Sequence, residues 1–128
     1  MGVWNRRQEL LFSTGDDFVS GTLLDVETDK EVVKIDVDAI DSVLDGKEID
    51  FIIMDIEGSE MKALEGACKS IRKWSPVLAI SAYHKLEHLW EIPLLIKNIN
   101  PAYDIYYAHH RWNMDDTVCY AISKGKDN

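Results

Sequence analysis

An unbroken apolar run that ends in a cluster of acids constrains this chain more than any other feature. The run is Phe51–Met54, and it is followed closely by Asp55, Glu57, Gly58 and Glu60. Because the run shows no polar alternation, we expect a parallel strand with both faces covered, as in α/β proteins. Ligands of such sheets bind beyond the carboxyl ends of the strands, so the acids mark the expected position of a functional site.

Size and charge exclude several classes of protein. With 128 residues and 46% hydrophobic side chains, the chain is expected to form one domain with its own core. The net charge is −9 and the acids concentrate in residues 1–60, so a nucleic-acid partner is not expected. The absence of a signal-peptide pattern and of an apolar run near ~20 residues predicts a cytoplasmic protein without a membrane partner. Both cysteines, Cys68 and Cys119, are expected in the core.

The patterning changes near residue 48, inside one predicted domain that spans residues 1–128. In residues 1–48, alternating runs separated by turn residues predict antiparallel hairpin strands at 9–13, 22–26 and 32–37. A short helix is predicted directly after them, with its apolar side at Ala39, Ile40, Val43 and Leu44.

Residues 49–128 predict an α/β core instead. The apolar spacing indicates helices at 59–73 and 86–98, and strands after the first run at 77–83, 103–107 and 117–123. Pro93 inside the second helix must lie in a first turn or at a kink. Two parallel strands joined by helices, followed by an antiparallel pair, are typical of the back half of a doubly wound sheet.

His84 ends the second apolar strand just as Asp55 ends the first, so the two become neighbours if these strands are adjacent and parallel. Asp55 is the favoured site residue, because a buried carboxylate without partners would be costly. For Glu60 we favour a simple stabilising charge at a helix N-terminus, worth ~0.3–1 kcal/mol. For His84 a general base, a ligand contact, a metal ligand and a plain loop cap all stay open.

Other polar and aromatic residues receive plainer interpretations. His109 and His110 follow a strand that would reach the same rim, but together with Asp55 and Glu57 they lack the helical spacing of zinc sites, so no metal site is predicted. Core and rim packing is the favoured interpretation of the aromatic residues Trp74, Trp90, Tyr83, Tyr106 and Tyr107. Solvent exposure is expected for His88, Asp115 and Asp116.

Four segments resemble the C-terminal part of FkbM-type methyltransferases, which use S-adenosylmethionine. They are GVWNRRQELLF (2–12), IDFIIMDIEGSEMKALEGA (49–67), PVLAISAYHK (76–85) and LWEIPLLIK (89–97). The family's aspartate-x-glutamate-glycine signature is present at residues 55–58, and its leucine-x-glycine-alanine turn at residues 64–67. Gly66 costs ~1 kcal/mol relative to alanine in a helix, which fits close packing required by a particular fold.

The resemblance implies a Rossmann-like methyltransferase sheet, with the sulfonium of the donor near the strand that carries Asp55. It implies that Asp55 and Gly58 contact S-adenosylmethionine. It also implies methyl transfer to an oxygen of a small-molecule or sugar acceptor, with Asp55, Glu57 and His84 as catalytic residues. Asp55 would face the donor or the acceptor, while Glu57 and His84 polarise or deprotonate the acceptor hydroxyl.

In that family a glycine-rich turn and an acidic residue that holds the ribose precede the segment matching GVWN, and neither is found here. The chain is therefore expected to be an isolated C-terminal portion. A catalytically silent assembly module completed by a partner chain is one alternative, and a metal-dependent hydrolase built on Asp55, Glu57, His84 and His109 is a weaker one. The strand at 51–56 would keep an exposed edge, which predicts coverage by the N-terminal hairpins, a homo-oligomer such as a homodimer, or a missing N-terminal half as partner.

Overall fold

The computed structural model describes residues 1–13, 32–110 and 116–125, and in these ranges it is a mixed α/β fold with two sheets and four helices. The strands are β1 (Gly2–Trp4), β2 (Gln8–Ser13), β3 (Val32–Ala39), β4 (Phe51–Met54), β5 (Val77–Ser81), β6 (Tyr103–His109) and β7 (Thr117–Ser123). The helices are α1 (Ile40–Leu44), α2 (Glu60–Glu65), α3 (Cys68–Trp74) and α4 (His88–Ile99). No helix in the described ranges is long and apolar enough to cross a membrane.

The N-terminal sheet has the order β1-β3-β2. β2 and β3 pair antiparallel, which confirms the strands predicted at 9–13 and 32–37. The strand predicted at 22–26 lies outside the described residues. β1 was not predicted, because three residues are too short for an alternating pattern; it pairs parallel to β3, with Gly2 opposite Val37.

The second sheet has the order β4-β5-β7-β6 and carries most of the core. β4 and β5 are adjacent and parallel, with Phe51 opposite Val77 and Met54 opposite Ile80, as the sequence predicts. β6 and β7 form the predicted antiparallel pair, and β7 also pairs antiparallel with β5. Because β4 and β5 run in the same direction, the residues that follow them emerge at one edge of the sheet.

Strand β4 is covered on one face, so the prediction of two covered faces is wrong. Ile52 and Met54 are 6% and 4% exposed and join the core with α2, α3 and α4, whereas Phe51 and Ile53 are 57% and 76% exposed. An apolar run indicates which residues favour burial. It does not indicate which helices or strands will pack against each face of the strand. The outer edge of β4 pairs with no strand in the described part of the chain.

The single helix predicted at 59–73 is divided into α2 and α3 at Gly66. A Cβ atom on Gly66 would lie 2.1 Å from the carbonyl oxygen of Trp4, so the backbone of β1 occupies the space that a side chain would need. The predicted link between this glycine and close packing is confirmed. The Gly66 carbonyl in turn accepts a hydrogen bond of 2.8 Å from the backbone N–H of Asp41.

Helix α4 confirms the helix predicted at 86–98, and it contains Pro93. A proline has no N–H, so the carbonyl four residues earlier, that of Leu89, loses its helical partner. The Tyr107 hydroxyl donates a hydrogen bond to this carbonyl and replaces the missing donor. Tyr107 is 43% exposed and Trp90 is 50% exposed, so these two aromatic residues belong to the rim and not to the core.

Both cysteines are free, as their spacing indicates. Cys119 is fully buried in the core, as predicted, and burial raises the pKa of its thiol to about 11. Cys68 is partly buried and packs against the margin of the core. A buried, protonated thiol is chemically inert, so the functional site must be sought among the other polar groups.

Candidate active site at the carboxyl ends of β4 and β5

The predicted catalytic residues meet at the edge where β4 and β5 end. The Nε2 atom of His84 lies 3.4 Å from Oδ1 of Asp55 and 3.2 Å from Oε2 of Glu57. The parallel pairing of β4 and β5 produces this arrangement, because it brings the segments after both strands to one rim. The expectation that His84 and Asp55 are neighbours is confirmed.

A tight turn after β4 directs the acids towards His84. Glu57 has a φ of 56° and Gly58 a φ of 97°, so two consecutive residues adopt left-handed conformations. Glycine is favoured at the second position, where a Cβ atom would also lie 3.3 Å from Cε of Lys85 and 3.9 Å from Cβ of His84. Gly58 therefore allows the turn to pack closely against the segment after β5, while its predicted contact with a cofactor stays a prediction.

Glu60 is the fourth member of the site, although the sequence favoured only a helix-terminal charge for it. Its side chain is fully buried, and its Oε1 atom accepts a hydrogen bond of 3.1 Å from the backbone N–H of Ile56. The same oxygen lies 3.0 Å from Nδ1 of His84. A carboxylate is removed from water at high cost, so its position beside a histidine indicates a specific role. We call Asp55, Glu57, Glu60 and His84 the rim cluster.

His88 lies directly behind the rim cluster, which corrects the expectation that it is solvated. It is 2% exposed, and its Nδ1 atom lies 3.6 Å from Oε2 of Glu60. Burial lowers the pKa of His88, with the carboxylate of Glu60 as the main opposing influence. Helical spacing carried a signal for this burial, since His88 continues the buried face of α4 formed by Ile92, Ile96 and Ile99.

Tyr83 is a further site residue that sequence reasoning assigned to packing alone. Its hydroxyl donates a hydrogen bond of 3.1 Å to Oδ1 of Asp55, and its ring centroid lies 4.1 Å from that of His84. Burial first, and then the hydrogen bond and the charge of Asp55, raise the pKa of Tyr83 to about 12. The phenol therefore remains a hydrogen-bond donor to Asp55 at neutral pH.

The buried part of the site contains polar atoms without aligned hydrogen bonds. In the described residues these atoms include both ring nitrogens of His84, Oε2 of Glu60 and Nδ1 of His88. The contacts of 3.0–3.6 Å around them are close enough for charge attraction but are not oriented as hydrogen bonds. An unpaired buried polar group typically costs ~1–3 kcal/mol. A ligand that supplies hydrogen-bond partners to these atoms would recover that cost, so the cluster is suited to bind one.

The rim cluster also has the donor atoms of a cation site. Asp55, Glu60 and His84 each offer one ligand atom within 4.8 Å of the other two. The hydrolase alternative placed His109 in such a set, but its Nδ1 atom pairs with Oγ1 of Thr117 at 2.8 Å. His109 ends β6, which β7 separates from β5, and His110 pairs with Tyr120 instead. Among the described residues, His109 is therefore not part of this group of possible ligands.

An open cleft of about 440 Å³ adjoins the rim cluster. Gly58, Lys85 and His88 line it, so it shares residues with the turn after β4 and with the histidine behind Glu60. Trp4, Lys62 and Glu65 also line this cleft. This volume lies within the ~300–1,000 Å³ of small-molecule sites, which gives a compact polar ligand room beside the cluster.

Comparisons with known proteins agree with the resemblance seen in the sequence. The family profile described as the methyltransferase FkbM domain matches residues 2–114. The crystal structure of methyltransferase FkbM from Methylobacillus flagellatus KT is 43% identical, with a TM-score of 0.65. That similarity covers 69% of this chain and 23% of the other, so the chain spans less than a quarter of that structure. The comparison with curated proteins finds no match. The chain belongs to the FkbM methyltransferase domain family.

Proposed function

We propose that this chain takes part in methyl transfer from S-adenosylmethionine to a hydroxyl oxygen of a small-molecule or sugar acceptor. Membership of the family supports a methyltransferase-type function. The observation that carries the finer proposal is Nε2 of His84, which makes no hydrogen bond and faces Asp55 and Glu57. A nitrogen base within reach of a bound hydroxyl is what proton removal from the acceptor requires.

The sheet supports this proposal through the direction of its strands. β4 and β5 are parallel, β7 is antiparallel, and the order β4-β5-β7-β6 is consistent with one half of a Rossmann-like methyltransferase sheet. Ligands of such sheets lie beyond the carboxyl ends of the parallel strands. Asp55 and His84 occupy this position.

The residues present fit the reactive end of S-adenosylmethionine. The side chains of Asp55 and Glu57 are 58% and 53% exposed, so two carboxylates are available to a cation at the rim. S-adenosylmethionine has a positively charged sulfonium, and when bound it supplies an electrophilic methyl group. Asp55 and Gly58 are the residues of this chain that would hold this end of the cofactor, while the cleft beyond Gly58 offers space for a second molecule.

Each residue of the rim then has a distinct task. Tyr83 donates its hydrogen bond to Asp55 and fixes the direction of that carboxylate. His84 takes the hydroxyl proton on Nε2, and the carboxylate of Glu57, which lies 3.2 Å from this nitrogen, stabilises the imidazolium that results.

Titration calorimetry of the purified chain with S-adenosylmethionine and with S-adenosylhomocysteine tests this proposal. We expect micromolar binding of both, with the sulfonium form tighter by about 3-fold to 10-fold because only it is attracted by the rim carboxylates. Asp55→Asn should remove most of this difference. Asp104→Asn is the matched control, since Asp104 pairs with Lys124 in the first half of β6 and should leave the difference unchanged.

Absence of binding of either compound would contradict the proposal for this chain and assign the reaction to an assembly with further residues. The assembly alternative has its own observation, the exposed face of β4 at Phe51 and Ile53. Self-association is the simplest form of that alternative, and sedimentation over a range of concentrations measures it. A metal content near zero after purification with zinc or manganese would remove the hydrolase alternative.

A further inference from the structure

The two ring nitrogens of His84 face carboxylates in different surroundings. Nδ1 lies 3.0 Å from Oε1 of Glu60, whose side chain is fully buried. Nε2 lies 3.2 Å from Glu57 and 3.4 Å from Asp55, and both of these side chains are more than half exposed. The His84 side chain itself is 10% exposed, so its ring spans from the interior to the rim.

Burial and one hydrogen bond fix the position of Glu60. The backbone N–H of Ile56 donates to Oε1, and Nδ1 of His88 lies 3.6 Å from Oε2. Because burial lowers the pKa of His88, this second histidine is neutral at neutral pH and does not neutralise the carboxylate. Glu60 therefore presents a buried carboxyl group to His84, whereas the side chains of Asp55 and Glu57 are more than half exposed, so that water screens their charges.

These surroundings decide which nitrogen of a neutral His84 carries the hydrogen. An ionised carboxylate only accepts hydrogen bonds, so a lone pair pointing at it is unfavourable. The penalty would apply at Nδ1 and at Nε2 alike if the carboxylates were equivalent. A charge interaction is about fourfold stronger at an effective dielectric constant of ~20 than in bulk water at ~80. The interaction of the His84 ring with the buried Glu60 is therefore stronger than its interaction with the solvent-screened carboxylates of Asp55 and Glu57.

We propose that Glu60 is the positioning residue of this site, which places the hydrogen of neutral His84 on Nδ1 and leaves Nε2 as the base at the rim. Charge attraction favours the hydrogen on the ring nitrogen that faces the buried carboxylate, and the other nitrogen of a neutral imidazole then has the free lone pair. The catalytic consequence rests on the proposed function. The hydroxyl proton passes to Nε2, the O–H electron pair forms the new bond to carbon, and the pair of the broken carbon–sulfur bond stays on sulfur.

Nitrogen NMR of the ¹⁵N-labelled chain tests the inference without any cofactor. Long-range proton–nitrogen correlations distinguish a protonated from an unprotonated ring nitrogen, and His84→Gln identifies the signals of this ring. In wild-type protein at a pH where the ring is neutral, we expect the proton on Nδ1. Glu60→Met and Glu60→Gln both remove the charge beside Nδ1 and should each shift at least half of the population to the Nε2 form, whereas Glu60→Asp keeps a charged carboxylate and should keep most of the population in the Nδ1 form.

Glu57→Gln is the matched control, because it removes a charge from the other side of the same ring and should leave the proton on Nδ1. A wild-type neutral ring protonated on Nε2 would overturn the proposal, and so would an unchanged tautomer in Glu60→Met. If Glu60→Met does not fold, the wild-type spectrum decides alone. Failure of the chain to bind either adenosyl compound would remove the proposed function but leave the tautomer result intact.

Discussion

The rim cluster and the contact between the N-terminal elements β1 and α1 and the helices α2 and α3 use similar polar groups in opposite ways. Where α1 meets α3, the carboxylate of Asp41 accepts hydrogen bonds from the backbone N–H groups of Lys69 and Ser70, at 2.9 and 2.8 Å, and from the Ser70 hydroxyl at 2.7 Å. We call this contact, which includes Gly66 and Asp41, the seam. In the rim cluster, both ring nitrogens of His84 lack such bonds.

The different hydrogen bonding of the two regions indicates that the seam stabilises the fold and that the rim cluster is suited to binding. In the seam each oxygen of the Asp41 carboxylate accepts at least one hydrogen bond, so the group contributes fully to the folded state. In the rim cluster Oε2 of Glu60 and both ring nitrogens of His84 are left without aligned partners, which lowers stability but keeps these atoms available to a ligand. Substitutions in the seam should therefore affect unfolding, and substitutions at the rim should affect binding.

The largest effect is expected for Gly66→Ala. Helix propensity alone predicts stabilisation by ~1 kcal/mol, because Gly66 has an α-helical φ of −74°. The new Cβ atom would instead lie 2.1 Å from the backbone oxygen of Trp4, so we expect a loss of about 3 kcal/mol in the free energy of unfolding. Urea denaturation measures it. Lys62→Ala, on the exposed side of α2, is the control, and a stabilised Gly66→Ala would show that the seam is not tightly packed.

A smaller loss of stability is expected for Asp41→Ala. Helix α3 begins after Ala67, which has no side chain able to cap it, and Asp41 supplies the cap from another element. Loss of a helix cap costs about 1–2 kcal/mol in the free energy of unfolding, which the same denaturation experiment measures. Asp41→Asn keeps one acceptor oxygen and should lose about half as much. Equal losses in both variants would mean that the charge, and not the hydrogen bonds, matters.

The smallest effect on stability, within ~0.5 kcal/mol at neutral pH, is expected for Asp55→Asn at the exposed rim. Its effect on Tyr83 should be clear. The pKa of Tyr83 is about 12 in the folded chain and about 10 in the unfolded chain. The contribution of Tyr83 to the free energy of unfolding therefore decreases as the pH rises from about 10 to about 12. Asp55→Asn should lower the pKa of Tyr83 only partly, because burial is its largest cause.

Tyrosinate absorbance, with the spectrum of Tyr83→Phe subtracted, measures this titration. Asp104→Asn should leave it unchanged. A decrease above ~1 kcal/mol in the free energy of unfolding of Asp55→Asn would contradict the comparison, because the rim would then stabilise the fold as the seam does.

The elements of the core could be predicted from the sequence because their patterns are local. The apolar runs of β4 and β5 gave the parallel pair, and that pair alone was enough to place Asp55 and Glu57 beside His84. Glu60 was underestimated, because a helix N-terminus already explains an acidic residue and the partner that buries it is distant in sequence.

Other features depend on contacts that no local pattern records. The division of the helix at Gly66 depends on the backbone of Trp4, more than 60 positions earlier in the chain. The exposure of Phe51 and Ile53 depends on which elements cover β4, and an apolar run does not contain that information.

The edge of β4 that pairs with no strand in the described residues has a charged residue at each end of the strand. Asp50 precedes the strand and Asp55 follows it, so a second copy laid antiparallel in register would bring Asp50 of one copy opposite Asp55 of the other. Like charges that face each other across a strand pair are unfavourable, and charged residues beside an apolar strand act as gatekeepers against aggregation. Because salt screens such repulsion, self-association through this edge should become stronger as the ionic strength rises.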